Sequence, residues 1–431
     1  MLLWCHFSLF LSYFCLFCLA ANIIRQGEIL KDGDSISSPQ GRFVLGFFSP
    51  VKNSKRSFLG IWYADDPMKS VVWVANRNKP VSEGKGILTI EKDGNLVVKD
   101  TGNGHLLWST NISSATRNST TAFLRDSGNL VISNNSSVLW ESFQHPTDTY
   151  LPDMRLNLDP EGGERRFLTS WRSEIDPSPG RYSFGIDNRG SPQIVIWDGS
   201  NRRWRSGYWD GLLLKGVPNS KEVHLDSFMI YEEGDRWYFT VAYTSFNMRL
   251  QMSWNGNVVQ YRWDKDKGQW NPLQNLPSGG CDMYNFCGNF AKCDFSSSPV
   301  CLCLEGFVPK DSEQWNAKNW TGGCVRKIDL KCQRNTSSVL RNESEEGDGF
   351  SVLERIKLPD FAHSVNTQKI DFCRNMCLTN CSCTAYAFVN GKNCMIWGAE
   401  LVDVQQFEEG GNSLYVRLAH SEIGKYYLLL K

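Results

Sequence analysis

The chain of 431 residues carries 46 basic and 46 acidic side chains, and this zero formal net charge disfavours a nucleic acid or another polyanion as a partner held by bulk charge. With 41% hydrophobic and 13% aromatic residues, the composition excludes an intrinsically disordered chain. The length suits roughly two to four folded domains.

The first twenty residues read as a secretory signal. Residues 1–20 are apolar and lack acidic side chains, and they end in Cys18-Leu19-Ala20, which places small residues where signal peptidase requires them. Because no Lys or Arg precedes the apolar run, a retained N-terminal anchor is the alternative. No later apolar stretch approaches the ~20 residues of a membrane-spanning helix, so the sequence predicts a secreted protein.

The cysteines and the glycosylation sequons also indicate that the chain passes through the oxidising secretory pathway. Three of the fifteen cysteines lie in the signal and the other twelve between Cys281 and Cys394, an even number that suits six disulfides. Because the region between the signal and Cys281 has no cysteine, we expect it to keep its fold under reduction. Eight Asn-x-Ser/Thr sequons predict glycosylation, at Asn111, Asn118, Asn134, Asn135, Asn319, Asn335, Asn342 and Asn380.

An internal repeat organises the first third of the chain. Apolar-Trp segments end at Trp73, Trp108 and Trp140, which are 35 and 32 residues apart. The latter two follow a Gly-Asn turn and a β-branched run, with the turn asparagines at Asn95 and Asn129. The spacing predicts three small sheets whose tryptophans meet near a common axis. An irregular β-sandwich with chance similarity is the alternative.

Several segments carry a family resemblance. The sequences GRFVLGFF (41–48), LGIWY (59–63), VVWVANR (71–77) and WESFQHPTD (140–148) resemble the bulb-type lectin domain of plant S-locus glycoproteins and S-domain receptor kinases. Segments 168–173, 176–180 and 205–211 resemble the S-locus glycoprotein domain, and apolar alternation around a turn at 187–190 predicts a hairpin. The resemblance implies a second lectin-like β domain.

The mannose pocket of bulb lectins consists of Gln, Asp, Asn, Val and Tyr at alternate strand positions. The corresponding line of this chain, with its first and last members replaced, is Glu91, Asp93, Asn95, Val97 and Lys99. The second copy keeps Asp126 and Asn129, with one residue inserted between them. Since the amide and phenol partners are absent, we expect no mannose binding, and we interpret the Asp and Asn residues as turn residues that bond their own backbone.

Six cysteines from Cys281 to Cys324 resemble an EGF-like module. By themselves they allow fifteen connectivities. A calcium-binding EGF module needs oxygen ligands before its first cysteine, where this chain has Pro-Ser-Gly-Gly at 277–280, and zinc is disfavoured because no histidine lies nearby; we therefore expect no metal and no cofactor. The resemblance implies the bridges Cys281–Cys293, Cys287–Cys301 and Cys303–Cys324.

The remaining six cysteines lie in a segment that resembles the PAN/apple domain of the same receptors. The resemblance is carried by residues 373–377, 380–387 and 391–394, and 410–418 resembles the closing strand. Cys373 and Cys377 are four residues apart, so they share one face of a helix. The resemblance implies the bridges Cys373–Cys394, Cys377–Cys383 and Cys332–Cys381.

The predicted fold class is mostly β, with tandem bulb-lectin-like β-prism domains followed by a disulfide-rich EGF-like module and an α+β PAN/apple domain. The predicted boundaries are 1–20 for the signal peptide, 22–148 for the lectin domain, 149–278 for the S-locus glycoprotein domain, 279–326 for the EGF-like module, 332–419 for the PAN/apple domain and 420–431 for a tail.

The sequence contains no recognisable catalytic motif. It has no His-Glu-x-x-His, no Gly-x-Ser-x-Gly, and none of the kinase signatures. The receptor relatives carry a cytoplasmic kinase after a membrane helix, and this chain stops before either, so we expect no kinase activity from this product.

The leading hypothesis is a recognition glycoprotein of the apoplast or cell wall, at the plasma membrane only if the chain is a truncated receptor. Its predicted partner is an extracellular peptide or protein, with an S-domain receptor kinase and a second copy of the chain as further candidates. The resemblance implies pollen recognition in self-incompatibility or defence signalling. The alternatives are a wall-associated lectin for mannose-type carbohydrate and an enzyme acting on wall polysaccharide.

Overall fold

The computed structural model describes residues 23–52, 54–113, 120–135, 137–158, 166–187, 189, 191–211, 214–217, 228–234, 236–241, 247–334, 347–398 and 400–423. The predicted signal and the sequons at Asn118, Asn335 and Asn342 lie outside these residues. Within them the chain is mostly β, as predicted, with two short α-helices, α1 (Ser312–Asn316) and α2 (Ile370–Thr379).

The first β domain is a prism of three sheets. Its strands are β1 (Ile23–Arg25), β2 (Ile29–Lys31), β3 (Ser35–Ser37), β4 (Phe43–Phe48), β5 (Arg56–Tyr63), β6 (Val71–Val74), β7 (Val81–Ser82), β8 (Gly86–Ile90), β9 (Leu96–Asp100), β10 (His105–Ser109), β11 (Thr121–Leu124), β12 (Leu130–Ser133) and β13 (Val138–Glu141). The sheets have the orders β3-β4-β5-β6, with β7 also paired to β5, then β10-β9-β8-β2 and β1-β11-β12-β13. Each sheet therefore combines three consecutive strands with one strand from the start of the chain.

The repeated tryptophans meet at the axis of this prism. Trp73, Trp108 and Trp140 pack edge to face, with ring centroids 5.8, 6.0 and 5.7 Å apart. The two repeated turns also share one backbone conformation, since Gly94 and Gly128 both have φ at +86°, a region that glycine enters without steric cost. The three-fold prediction is confirmed, and the irregular sandwich is excluded.

The second β domain repeats the same topology. Its strands are β14 (Thr149–Tyr150), β15 (Leu156–Leu158), β16 (Leu168–Ser173), β17 (Asp176–Asp187), β18 (Gln193–Asp198), β19 (Asn201–Tyr208), β20 (Phe228–Glu233), β21 (Arg236–Val241), β22 (Met248–Met252), β23 (Val258–Asp264) and β24 (Gln269–Leu276). The sheets are β16-β17-β18-β19, β15-β21-β20 and β14-β22-β23-β24. As in the first prism, the first short strand joins the third sheet and the next short strand joins the second sheet.

The cysteine-rich half is built on one long sheet. Its strands are β25 (Ala291–Cys293), β26 (Cys301–Cys303), β27 (Phe307–Pro309), β28 (Cys324–Arg326), β29 (Gly349–Lys357), β30 (His363–Asn366), β31 (Ala385–Val389), β32 (Asn393–Trp397), β33 (Val404–Gln406) and β34 (Asn412–Leu418). Eight of them form the order β26-β25-β33-β29-β34-β31-β32-β30, in which β25 runs parallel to β33. The β25–β26 hairpin of the EGF-like segment thus extends the PAN sheet, a continuity that the cysteine spacing does not predict.

Apolar packing continues across the predicted domain boundaries. Tyr63 of the first prism contacts Trp270 of the second, with ring centroids 4.7 Å apart, and the buried side chains of both prisms form one cluster. A second cluster fills the cysteine-rich half and includes Tyr208 of the second prism. The two prisms therefore pack as one unit, and that unit also contacts the cysteine-rich half.

Buried charges join the second prism to the PAN domain. We call this group the junction cluster: Asp187, Arg202, Arg205, Lys357, Asp360 and Asp403. Arg205 Nε lies 2.6 Å from Asp403 Oδ2, which lies 3.1 Å from Lys357 Nζ, and Arg202 pairs with Asp360. All six side chains are at most 6% exposed. The expectation that the β domains are independent of the cysteine-rich half is therefore revised.

Candidate functional site

The residues that correspond to the mannose pocket lie on the β8–β9 hairpin. We call them the mannose line: Glu91, Asp93, Asn95, Val97 and Lys99. The pairing of Ile87 with Lys99 and of Thr89 with Val97 places alternate residues of both strands on one face. Glu91 and Asn95 continue that face beyond the paired strands, where the Glu91 amide donates to the Asn95 carbonyl at 2.9 Å. The structure thus brings these line residues to one surface.

An ion pair closes this surface. Lys99 Nζ lies 2.5 Å from Glu91 Oε1, and both side chains are about one-third exposed. The strand register places Val97 between these two residues, and only 3% of Val97 is exposed. Val97, the residue that touches the sugar ring in the resembling lectins, is therefore buried, and the two substituted residues pair with each other across its position in the sheet.

The turn asparagines stabilise the hairpins from inside. Asn95 Oδ1 accepts from the Thr110 hydroxyl at 3.1 Å and from the Ile112 amide at 2.7 Å, while its own amide nitrogen donates to Asp93 at 2.9 Å. Asp93 also accepts from the Asn95 backbone amide at 3.0 Å, as a turn residue does. Asn95 is 8% exposed, so its polar atoms face the protein.

The second copy shows the same internal use. Asn129 Oδ1 accepts from the Ser142 hydroxyl at 3.1 Å and from the Phe143 amide at 3.2 Å. The turn interpretation is therefore wrong for the oxygens of both asparagines, which accept from residues 13 to 17 positions later. It is also wrong for Asp126, whose Oδ1 accepts from the amide of Gln40, 86 residues earlier, at 2.8 Å. The side chain of Asp126 therefore ties two distant segments together.

We predict that mannose does not bind measurably to the wild-type chain. Glu91 and Lys99 pair with each other across the position of Val97, and a site that lacks its amide and phenol partners loses affinity steeply. Calorimetric titration with methyl mannoside should give no saturable heat, and the variant Glu91→Gln/Lys99→Tyr, which restores the residue types of the lectin pocket, serves as the comparison. Saturable binding to the wild-type chain at sub-millimolar affinity would contradict this prediction.

A groove of about 500 Å³ separates the two prisms. The first prism contributes its 48–50 and 67–71 segments, and the second contributes Trp171 and the region 249–254. Arg77 fixes the two walls, because its guanidinium donates to the carbonyls of Pro177 at 2.6 Å and Ser170 at 2.6 Å. The packing of the two prisms therefore holds the groove in place.

Arg249 lies on the floor of this groove and is 5% exposed. Its Nη1 donates to Gln251 Oε1 at 3.1 Å and its Nη2 to Ser70 Oγ at 3.4 Å. The guanidinium lies over the rings of Tyr261 and Trp270, 4.5 and 4.9 Å from the centroids. Burial lowers the pKa of Arg249, although a guanidinium remains protonated at physiological pH.

Exposed apolar side chains lie on the rim of the groove, among polar and charged ones. Met68 is 85% exposed and Trp254 is 46% exposed, and both line the groove. Exposed Val51 and Ile175 adjoin lining residues in the sequence. Exposed apolar side chains grouped around a concave surface are typical of a binding site.

The cysteine-rich half shows six disulfides, the same pairs that the family resemblance implies: Cys281–Cys293, Cys287–Cys301, Cys303–Cys324, Cys332–Cys381, Cys373–Cys394 and Cys377–Cys383. The sulfurs of Cys287, Cys293 and Cys301 lie within 4.8 Å of one another. Because all three sulfurs are in disulfides, they offer no thiolate to a metal ion.

Five sequon asparagines lie in the described part of the chain. Asn134 is half-buried, and the other four are exposed: Asn111, Asn135, Asn319 and Asn380. We predict that the secreted protein begins near Ala21 and is heavier than its polypeptide because several of these sequons are occupied. N-terminal sequencing and the mass before and after glycosidase treatment test this. Recovery of Met1, or a mass unchanged by the glycosidase, would contradict it.

Within the described part of the chain, no helix has both the length and the apolar character that crossing a membrane requires.

Three family models match the chain. They are a D-mannose binding lectin domain at residues 70–172, an S-locus glycoprotein domain at 204–311 and a PAN-like domain at 332–404. None of these matched domains is catalytic.

Curated relatives match nearly the whole chain. The G-type lectin S-receptor-like serine/threonine-protein kinase B120 from Arabidopsis thaliana is 44% identical over 97% of this chain and 50% of its own length. The kinase SD1-13 of the same family and organism is 38% identical over 98% of this chain and 51% of its own length. The chain thus spans about half the length of the curated relatives it matches.

Mannose-binding lectins are among the solved structures that resemble part of this chain. A monomeric mannose-binding lectin from Gastrodia elata is 22% identical over 28% of this chain and 96% of its own, with a TM-score of 0.23. The mannose-specific snowdrop (Galanthus nivalis) agglutinin, complexed with methyl-α-D-mannoside, is 21% identical over 27% of this chain and 93% of its own, with a TM-score of 0.21.

The chain therefore joins, in this order, segments that match a D-mannose binding lectin domain, an S-locus glycoprotein domain and a PAN-like domain. Over nearly its whole length it is homologous to the G-type lectin S-receptor-like kinases.

Proposed function

We propose that this chain is an extracellular recognition glycoprotein that binds a peptide or protein ligand in the groove between its two β domains. The observation that carries the proposal is the groove itself, with a buried guanidinium on its floor and exposed apolar side chains on its rim. Pollen recognition and defence signalling are the physiological roles that the S-locus resemblance favours. The EGF-like and PAN segments then serve as the rigid base, with a receptor kinase or a second copy as further partners.

The contrast between the two candidate surfaces supports this choice. At the mannose line the polar atoms of Asn95 bond within the protein and Val97 is buried. In the groove, exposed Trp254 and Met68 surround a concave surface. Ligand binding concentrates on aromatic and other large side chains that lose their water on contact.

A wall-associated lectin for mannose-type carbohydrate is the second candidate. The match to a D-mannose binding lectin model favours it. The Glu91–Lys99 pair argues against it, since a sugar has to displace that ion pair to reach Val97.

Selection from a displayed heptapeptide library on the glycosylated chain tests the proposal. We expect peptides that bind saturably, that are unaffected by excess mannose, and whose affinity falls about tenfold or more in Trp254→Ala, as for a central aromatic contact. Leu273→Ala is the matched control, because Leu273 is 41% exposed on the same domain but does not line the groove. Binding confined to glycans and competed by mannose would favour the lectin instead.

A further inference from the structure

The guanidinium on the floor of the groove makes no contact ion pair with a described carboxylate, although Asp148 and Asp66 are near enough to act on its charge. Both Nη hydrogen bonds of Arg249 go to neutral oxygens, on Gln251 and Ser70. Its Nε has no hydrogen-bond partner among the described residues, and no described carboxylate lies within ion-pair distance of it. A buried cation without a counter-ion is unfavourable, so charged groups in protein interiors are normally paired.

A second donor lines the same groove without a partner. The indole Nε1 of Trp171 is buried and has no hydrogen-bond acceptor in the described part of the chain. Lys69 adds a second cation to the lining. The groove therefore contains unsatisfied N–H donors and two cations, the groups that bind an oxyanion.

Two acidic residues also line the groove, and neither neutralises Arg249 by contact. Asp148 is 1% exposed, and its Oδ2 accepts from Gln251 Nε2 at 3.0 Å. Burial raises the pKa of Asp148, while the nearby Arg77 opposes that change. Glu174 is exposed. A carboxylate brought by a ligand is the group that completes the coordination of Arg249.

We propose that the groove binds a peptide segment whose carboxylate pairs with Arg249 while its apolar side chains pack on Met68 and Trp254. This inference rests on the proposed function and names the chemistry of that ligand. The aliphatic side chains among the exposed rim residues favour a peptide over an acidic sugar, because they offer no hydrogen bonds to sugar hydroxyls. A planar guanidinium binds a carboxylate through two parallel hydrogen bonds, which fixes the orientation of the ligand.

Titration of the full chain with two capped tripeptides tests the inference. The acidic probe is acetyl-Leu-Glu-Leu-amide, and its isosteric control is acetyl-Leu-Gln-Leu-amide. We expect the acidic peptide to bind at least about tenfold more tightly, because a hydrogen bond to a charged group is stronger than one between neutral groups. Galacturonate, which carries the same charge on a hydroxylated ring, should bind more weakly than the acidic peptide.

Variants assign the effect to the residues named. Arg249→Gln should abolish the preference for the acidic peptide, and Trp254→Ala should weaken both peptides by the same factor. If Arg249→Gln does not fold, Arg249→Lys serves instead, because it keeps the charge but cannot form two parallel hydrogen bonds to a carboxylate. The preference for the acidic peptide should then be reduced. Leu273→Ala should bind both peptides as the wild type does.

Equal affinities of the wild-type chain for the two tripeptides, or absence of binding at millimolar concentration, would overturn the carboxylate inference. A preference that persists in Arg249→Gln would overturn the assignment to this residue. Tighter binding of galacturonate than of the acidic peptide would contradict the inference that the bound carboxylate belongs to a peptide. None of these results removes ligand recognition in the groove, which the peptide selection tests separately.

Discussion

Replacing Asp403 with asparagine should lower the free energy of unfolding by about 3–5 kcal/mol, because it removes the nearest counter-charge of two buried cations. Arg205 then keeps only Asp360, which is 4.0 Å away. Asp403 Oδ2 lies 2.6 Å from Arg205 Nε and 3.1 Å from Lys357 Nζ. Asparagine keeps the shape of the side chain and tolerates the φ of +60° at this position, so the change removes the charge and one of two hydrogen-bond acceptors without changing the volume much. Chemical denaturation of the full chain measures the loss.

The control for this variant is Glu233→Gln. Glu233 pairs with Arg155 at 3.5 Å, and both side chains are more than half exposed. Because surface ion pairs contribute about 0–1 kcal/mol, the control should unfold nearly as the wild type does. If Asp403→Asn were no more destabilising than Glu233→Gln, the junction cluster would not hold the two halves together.

The contribution of Asp403 also depends on pH. Burial by itself raises the pKa of Asp403, but Lys357, Arg205 and the Asn285 amide outweigh it, so the folded-state pKa lies below its ordinary value. Stability from this residue is therefore present above the unfolded-state pKa of about 3.9 and is lost as the pH falls through the lower folded-state pKa. The difference between wild type and Asp403→Asn should shrink below about pH 4.

Reduction of the disulfides should destabilise the second β domain together with the cysteine-rich half. The six bridges contribute about 2–4 kcal/mol each, and their total is comparable to or larger than the about 5–15 kcal/mol that holds a typical domain together. Once the PAN sheet unfolds, Arg202 and Arg205 lose Asp360 and Asp403, and Tyr208 loses its apolar neighbours.

Limited proteolysis under mild reductant measures this coupling. We expect the first cuts between residues 281 and 394, followed by cleavage of 149–280 faster than in the unreduced protein. The unreduced chain at the same protease concentration is the control. A fragment from about residue 21 to 280 that persists equally long in both samples would show that the β domains are independent of the disulfides.

Much of the fold follows from short-range patterns. The spacing of Trp73, Trp108 and Trp140 predicts the three-sheet prism, because each repeat has to bury its apolar face against the others. Glu91 and Lys99, which stand where bulb lectins have Gln and Tyr, show from the sequence that the mannose line is altered. These features depend on residues whose partners lie in the same or the next repeat.

The groove and the junction cluster depend on distant partners, and the sequence does not reveal them. Arg249 stands between the buried residues Met248 and Leu250, and strand alternation therefore places it on the outer face of its prism. Arg205 occupies a similar position after Trp204. The alternation tells which face a side chain takes but not that another domain covers that face. An arginine in a strand between large apolar residues is the only signal that the sequence offers.

The recognition surface is tested most directly by hydrogen exchange of the full chain with and without a peptide selected from the library. Binding in the groove predicts slower exchange of the backbone amides in 67–71, 171–174 and 249–254, with 91–99 unchanged. Protection confined to 91–99 would place the ligand on the mannose line and contradict recognition in the groove.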